Sequence, residues 1–144
     1  MLTGEYKHTL DAKGRVFVPA KFRSDLGDSV VLLKGFGDYL LMYPQSEYEV
    51  FMEKVSAYAE ERDDMTKFMR RVSMNSTNVD VDAQGRINIG EDYRKAAFLE
   101  KEISFVGMRK HVEIWASSKA AEEYDSADLE EFRKISKELH LGLC

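Results

Sequence analysis

The chain has 144 residues, 44% of them hydrophobic and 33% charged, with 16 aromatics, two prolines and a formal net charge of -5. That length suits one compact domain or two very small ones, and the aromatic content can furnish a core. The longest apolar runs, Val30 to Leu33 and Tyr39 to Tyr43, fall far short of the roughly 20 residues a membrane helix needs. The single cysteine, Cys144, allows no internal disulfide or cysteine-rich metal site, so a membrane protein, a disulfide scaffold and a zinc finger are excluded. Met1-Leu2-Thr3-Gly4 leads into charged residues rather than an apolar leader, and a cytoplasmic globular protein is the expectation.

In chain order, the first predicted element is a hairpin about Asp11-Ala12-Lys13-Gly14-Arg15. Asp-x-x-Gly suits a type I turn, with Asp accepting local hydrogen bonds and Gly supplying a permissive backbone. His8, Leu10, Val16 and Val18 face inward on this reading, and Lys7, Thr9, Arg15 and Phe17 outward. His8 reads as a hydrogen-bonded core histidine rather than a metal ligand. Pro19 starts a short helix through Phe22 and Leu26, and strands follow near Ser29 to Lys34 and Tyr39 to Tyr43.

Tyr48, Phe51, Met52, Val55, Tyr58 and Ala59 then recur at helical spacing, with Ser46 and Glu49 as a capping box. A second helix carries Met65, Phe68, Met69 and Val72 on one face, with Lys67, Arg70 and Arg71 beside it as a solvated surface.

Beyond Asn75 the first pattern returns. Asp11 to Val18 recurs as Asp82-Ala83-Gln84-Gly85-Arg86-Ile87-Asn88-Ile89 at an offset of 71, and Phe22-Arg23 as Tyr93-Arg94. Gly35 and Leu40 to Tyr43 match Gly107 and Val112 to Trp115 at an offset of 72. Val79, Val81, Ile87 and Ile89 face inward, and strands are expected at Ile103 to Val106 and Val112 to Trp115. Leu129, Phe132, Ile135 and Leu139 mark a last amphipathic helix that stops near Gly142. The expected division is a first unit at 1–47, a helical connection at 48–76, a second unit at 77–117 and a C-terminal helical segment at 118–144. Units this small bury a sheet face poorly alone, so the two share one core in an α+β fold.

Charge is segregated along this plan. The stretch from Tyr6 to Arg23 sums to +4, Gln45 to Asp64 to -5, and Ser117 to Cys144 to -3. A basic head on an acidic chain points to an anionic partner. Turn chemistry explains the aspartates and glycines but not the arginine after each glycine, a planar fork suited to phosphates and guanine edges. Gln84 replaces Lys13, and Asp80 and Asp82 flank Arg86, so the second tip reads as the weaker anion site. The paired aspartates invite comparison with an aspartic-protease dyad. Each is followed by Ala, and an arginine four residues on holds it ionised, the wrong direction for proton sharing. No phosphate loop, dinucleotide fingerprint or nucleophile elbow is present, so neither an enzyme nor a cofactor is expected.

Taken together, Met-Leu-x-Gly-Glu-Tyr at the start, Leu10 to Arg15, Pro19-Ala20 and Asp82 to Arg86 resemble the MraZ family of bacterial transcriptional regulators over essentially the whole chain. The resemblance implies two AbrB-like swapped-hairpin units forming a pseudo-twofold β-barrel with amphipathic helices around it. It also implies a ring-shaped homo-oligomer that binds short direct repeats in double-stranded DNA upstream of the division and cell wall gene cluster, at the nucleoid. Family members act as repressors and as activators. Carried over residue by residue, Arg15 and Arg86 contact DNA, with Lys7 and Lys13 as further basic positions. Asp11, Gly14, Asp82 and Gly85 order the turns. No metal, membrane or small-molecule substrate is implied. The competing reading is a non-enzymatic protein-interaction module working through its acidic helices, indifferent to DNA and sensitive at Glu47, Glu53 or Glu130.

Overall fold

Four of the six strand pairings among the described residues join one repeat unit to the other. The computed structural model describes residues 1–143, so Cys144 lies outside them. The first unit contributes β1 (Glu5–Thr9), β2 (Arg15–Phe17), a 3-10 turn at Ala20–Phe22, α1 (Arg23–Leu26), β3 (Ser29–Lys34) and β4 (Leu40–Pro44). Helices α2 (Gln45–Ala59) and α3 (Asp63–Met74) follow. Then come β5 (Ser76–Asp80), β6 (Arg86–Asn88), α4 (Glu91–Ala96), β7 (Glu102–Gly107), β8 (Val112–Ala116), α5 (Ser117–Asp125) and α6 (Leu129–Glu138).

Six strands form one antiparallel sheet in the order β1-β7-β8-β4-β3-β5, and β2 pairs with β6 in a separate two-stranded ribbon. The outer strand of each half is therefore supplied by the other: β1 lies on β7, with Glu5 opposite Val106, and β5 on β3, with Ser29 opposite Asp80. At the centre Leu40 faces Ile114 and Met42 faces Val112, pairs that exchange under the repeat. A pseudo-twofold axis thus runs between β4 and β8 and between β2 and β6. The closed barrel that the family resemblance implied does not form. β1 and β5 remain the ends of the open six-stranded sheet, and the ribbon packs across it without completing the ladder.

Alternation decides which side chains fill the space between ribbon and sheet. Val16, Val18, Ile87 and Ile89 enter from the ribbon side, and Val30, Leu32, Leu40, Met42, Ile103, Phe105, Val112 and Ile114 from the sheet, all buried in one cluster. Each such side chain contributes about 1.5–3 kcal/mol by leaving water. His8 departs from expectation. Its ring stands edge-on to Phe105 at 5.9 Å, and it makes no side-chain hydrogen bond among the described residues.

On the far side of the sheet, Leu33 of β3 and Leu41 and Tyr43 of β4 pack with Tyr48, Phe51 and Met52 of α2 and with Phe68 and Val72 of α3. Strand β3 is apolar on both faces because both are covered. The Ser46–Glu49 capping box is not formed: α2 begins two residues earlier, directly after Pro44, with no side-chain cap. Proline's fixed φ, here -57°, turns β4 straight into the helix and places Ser46 inside its first turn. Tyr58, expected on the packed face, is exposed.

Candidate nucleic-acid interface

The hairpin expected about each Asp-x-x-Gly turn does not form within a unit, because β1 pairs with β7, β5 with β3, and β2 with β6; each tip is instead a small hydrogen-bonded device built from its own five residues. At the first, the Gly14 amide donates to the Asp11 carbonyl at 3.0 Å, closing the turn, and the Asp11 amide donates to the Arg15 carbonyl at 2.9 Å. Gly14 takes φ +85°, a left-handed conformation that a side chain disfavours. One carboxylate oxygen of Asp11 accepts from the amides of Lys13 and Arg15, both at 2.9 Å, and the other accepts from Arg15 Nε at 2.8 Å. The second tip repeats this. Asp82 accepts from the amides of Gln84 and Arg86 at 2.9 Å and from Arg86 Nε at 3.0 Å, and Gly85 takes φ +86°.

The consequence for the arginines is geometric. Only Nε is engaged, which leaves the terminal amino groups of both guanidinium forks without an acceptor among the described residues. The Arg15 amide above all holds the Asp11 carboxyl below its ordinary range; burial opposes it as the next largest effect, and the Arg15 guanidinium and the Lys13 amide lower it further. Asp82 is lowered by the corresponding groups of Arg86 and Gln84.

Pairing of the two ribbon strands brings the tips into one surface. Arg15 lies opposite Asn88 and Phe17 opposite Arg86, with Val16 opposite Ile87 between them. Directly opposed residues share a face, so Arg15, Phe17, Arg86 and Asn88 all point outward while Val16 and Ile87 are buried. The Cα atoms of Arg15 and Arg86 lie about 8 Å apart by strand geometry. Lys13 is exposed at the first tip. Lys7 is elsewhere: it sits exposed on the edge strand β1, opposite Ser104, and the structure joins it to neither tip.

Two further arginines belong to this surface, and the sequence reading passed over their role. Arg23 Nε donates to the Val18 carbonyl at 3.2 Å and its guanidinium lies against Gly85. Arg94 Nε donates to the Ile89 carbonyl at 2.9 Å, beside Gly14. Each tip is also tied by its glycine carbonyl to the opposite strand, Gly85 to the Val18 amide at 2.9 Å and Gly14 to the Ile89 amide at 2.8 Å. Each unit therefore braces the other's tip. The signal was in the sequence, in the repeat of Phe22-Arg23 as Tyr93-Arg94, but nothing local tells that an arginine reaches a turn in the opposite unit.

Fold and surface together define a class: a duplicated α+β protein whose halves complete each other and whose twin arginine-bearing tips share one exposed ribbon. Comparison with known proteins makes this specific. The family described as "MraZ protein, putative antitoxin-like" matches residues 1–71 and again residues 72–141, and the chain belongs to the MraZ family. It is 39% identical over 139 residues to the "Transcriptional regulator MraZ" of Caldanaerobacter subterraneus subsp. tengcongensis, covering 96% of both chains. The proteins of the same name from Thermoanaerobacter pseudethanolicus (39% over 139 residues, 96% of both) and Halothermothrix orenii (36% over 136 residues, 94% of both) are similar at full length. The family is a non-enzymatic one. No helix among the described residues is long and apolar enough to cross a membrane.

Proposed function

We propose that this chain is a sequence-specific, DNA-binding transcriptional regulator that reads short direct repeats upstream of the division and cell wall gene cluster. It acts in the cytoplasm, at the nucleoid, on promoter-proximal double-stranded DNA. The observation that carries this reading is the ribbon, where Arg15 and Arg86 share one outward face and each is held at Nε, its terminal amino groups having no acceptor among the described residues. A two-stranded ribbon fits a major groove about 12 Å wide, and an arginine fork matches the O6 and N7 atoms of guanine. Asp11, Gly14, Asp82 and Gly85 order the tips, Lys13 adds a phosphate contact, Lys7 a flanking one, and Arg23 and Arg94 hold the tips in place. On this reading the AbrB-like units span 1–47 and 77–117, joined by 48–76 and followed by 118–144.

One such surface on a chain of net charge -5 binds weakly. A ring-shaped homo-oligomer that presents several ribbons to repeated DNA elements overcomes this through effective concentration. The test is fluorescence anisotropy on the upstream duplex with repeats intact or scrambled, at two salt concentrations, with Arg15→Ala as control. Tight binding that needs the repeats and Arg15, and that weakens steeply with salt, is expected. Operator binding retained by Arg15→Ala would remove the ribbon reading. Indifference to DNA, with loss of function on reversing Glu47, Glu53 or Glu130, would favour a protein-interaction module instead.

A further inference from the structure

The outward face of the ribbon holds four side chains, and the fold accounts for two of them. Arg15 and Arg86 are tied to the aspartates of their own turns. Phe17 is 45% exposed, and its ring meets no other ring or cation among the described residues. Asn88 is exposed, and its carboxamide has no hydrogen-bond partner among them. Phe17 and Asn88 stand at matching positions of the repeat, at the offset of 71, in strands of equal length. A backbone position that carries phenylalanine in one copy and asparagine in the other demands neither for packing. Asparagine is moreover a poor strand former, and a phenyl ring left half in water forfeits much of its gain from burial.

Their placement suits the reading of bases. Opposed residues of an antiparallel pair have Cβ atoms about 4.5–5.5 Å apart, so Arg15 stands beside Asn88 and Phe17 beside Arg86. The two pairs lie two residues apart along the strands, about 6.6 Å, close to two steps of about 3.4 Å along one DNA strand. In a major groove an asparagine amide pairs with N6 and N7 of adenine, and an apolar side chain packs on the 5-methyl group of thymine. The free amide of Asn88 and the exposed ring of Phe17 have those two chemistries, beside arginines suited to guanine. The pseudo-twofold axis through the ribbon exchanges Arg15 with Arg86 and Phe17 with Asn88. The exchange leaves the pair of arginines as it was, whereas phenylalanine against asparagine breaks the symmetry.

We propose that Phe17 and Asn88 are specificity-determining residues of the ribbon, Phe17 packing on the 5-methyl group of a thymine and Asn88 pairing with the N6 and N7 edge of an adenine, and that their inequality gives the DNA element a direction. This rests on the DNA-binding reading above and names two bases that it leaves open. A surface with a true twofold axis binds its site equally well in either orientation and matches palindromic DNA. With Phe17 on one side of the axis and Asn88 on the other, one chain engages its element in one orientation, the condition for direct rather than inverted repeats. The other difference between the tips, Lys13 against Gln84, falls on phosphate contacts, which carry no sequence information.

Fluorescence anisotropy of the full chain on the upstream duplex tests this, with one repeat scanned base by base. Each thymine is replaced in turn by uracil, which removes only the methyl group, and each adenine by 7-deazaadenine, which removes N7. At one thymine, uracil is expected to weaken wild-type binding about fourfold, the contribution of one buried methyl group, and to leave Phe17→Ala unaffected. At one adenine, the deaza base is expected to weaken the wild type about tenfold and to leave Asn88→Ala unaffected. Each variant should keep the wild-type response at the other's base, which a misfolded protein could not do. Inverting that repeat in place should weaken the wild type, and should weaken Phe17→Asn less. A wild type that binds the intact repeats but ignores every such base change, or ignores the inversion, would overturn the proposal and leave the DNA reading standing; so would variants that keep the wild-type response at every base. Equal binding of intact and scrambled repeats by the wild type would remove the DNA reading itself, and the proposal with it.

Discussion

The guanidinium of Arg23 lies against Gly85, on the hairpin tip of the opposite unit, so closely that no Cβ fits between them. Its counterpart Arg94 approaches Gly14 in the same way, although there a Cβ would also meet the Ile89 carbonyl at 2.7 Å. Both glycines have positive φ, so alanine at either carries a backbone cost of about 1–2 kcal/mol. Gly14→Ala must in addition displace backbone that is tied to the tip, bringing its cost to about 3 kcal/mol. Urea unfolding should rank Gly14→Ala below Gly85→Ala. Arg23→Ala should relieve part of the Gly85→Ala cost, and Arg94→Ala much less of the Gly14→Ala cost, in double-mutant cycles.

The two tips share one hydrogen-bonding scheme but differ in exposure and charge. The Arg86 side chain is 23% exposed against 36% for Arg15, and Gln84 stands where the first tip has Lys13. Arg86→Ala should therefore weaken operator binding less than Arg15→Ala does. Lys13→Gln, which makes the tips alike, should lower the slope of log affinity against log salt by about 1. Anisotropy titrations at several salt concentrations would measure both.

Acid should loosen the first tip through Asp11. Its folded-state pKa lies below the ordinary 3.8, first because of the Arg15 amide. The stabilisation is thus fully present above that value and is lost as pH falls through the lower, folded one. Asp11→Asn should exchange its tip amides faster than the wild type at neutral pH. That difference should begin to shrink near the ordinary carboxylate value and vanish only once pH is below the lower, folded one. Amide exchange of Lys13 and Arg15 is the measurement.

His111 offers a second pH window. Its ring stacks on Tyr43 at 4.8 Å, and burial lowers its pKa from 6.5, with Glu113 opposing. A depressed histidine favours the folded state fully above its unfolded pKa, and that contribution fades as pH drops below about 6.5. The repeat supplies a natural replacement, because Tyr39 stacks on Trp115 at the same 4.8 Å and 20°. His111→Tyr should accordingly flatten the fall in melting temperature between pH 7.5 and 5.5, leaving the part due to His8, which burial also lowers.

Much of this was legible in the residues because it is local. Alternation about Val16 and Ile87 gave the buried face of the ribbon, and Asp-x-x-Gly gave both turns. The strands near Ser29 and Val112 fell within a residue or two of their observed bounds. What lay beyond reach was long-range. Nothing in Glu5 to Thr9 specifies β7 as its partner rather than a strand of its own unit, nor that the sheet stops short of closing. Arg23 was visible as a repeated residue, but its contact with Gly85 crosses the unit boundary. Leu129, Phe132 and Leu139 carried the periodicity of a packed helix, a pattern that does not distinguish burial within the chain from burial against another.

The exchange of outer strands also sets an order of events during synthesis. Chains leave the ribosome N-terminus first, at about 5–20 residues per second. β1 emerges early, yet its partner β7 ends at Gly107, so for several seconds the first strand of the nascent protein has no edge to join. The pairing of β3 with β4 needs nothing beyond Pro44 and can form meanwhile. The ribbon must wait for Asn88, and the surface that bears Arg15 is assembled only after most of the chain has been made.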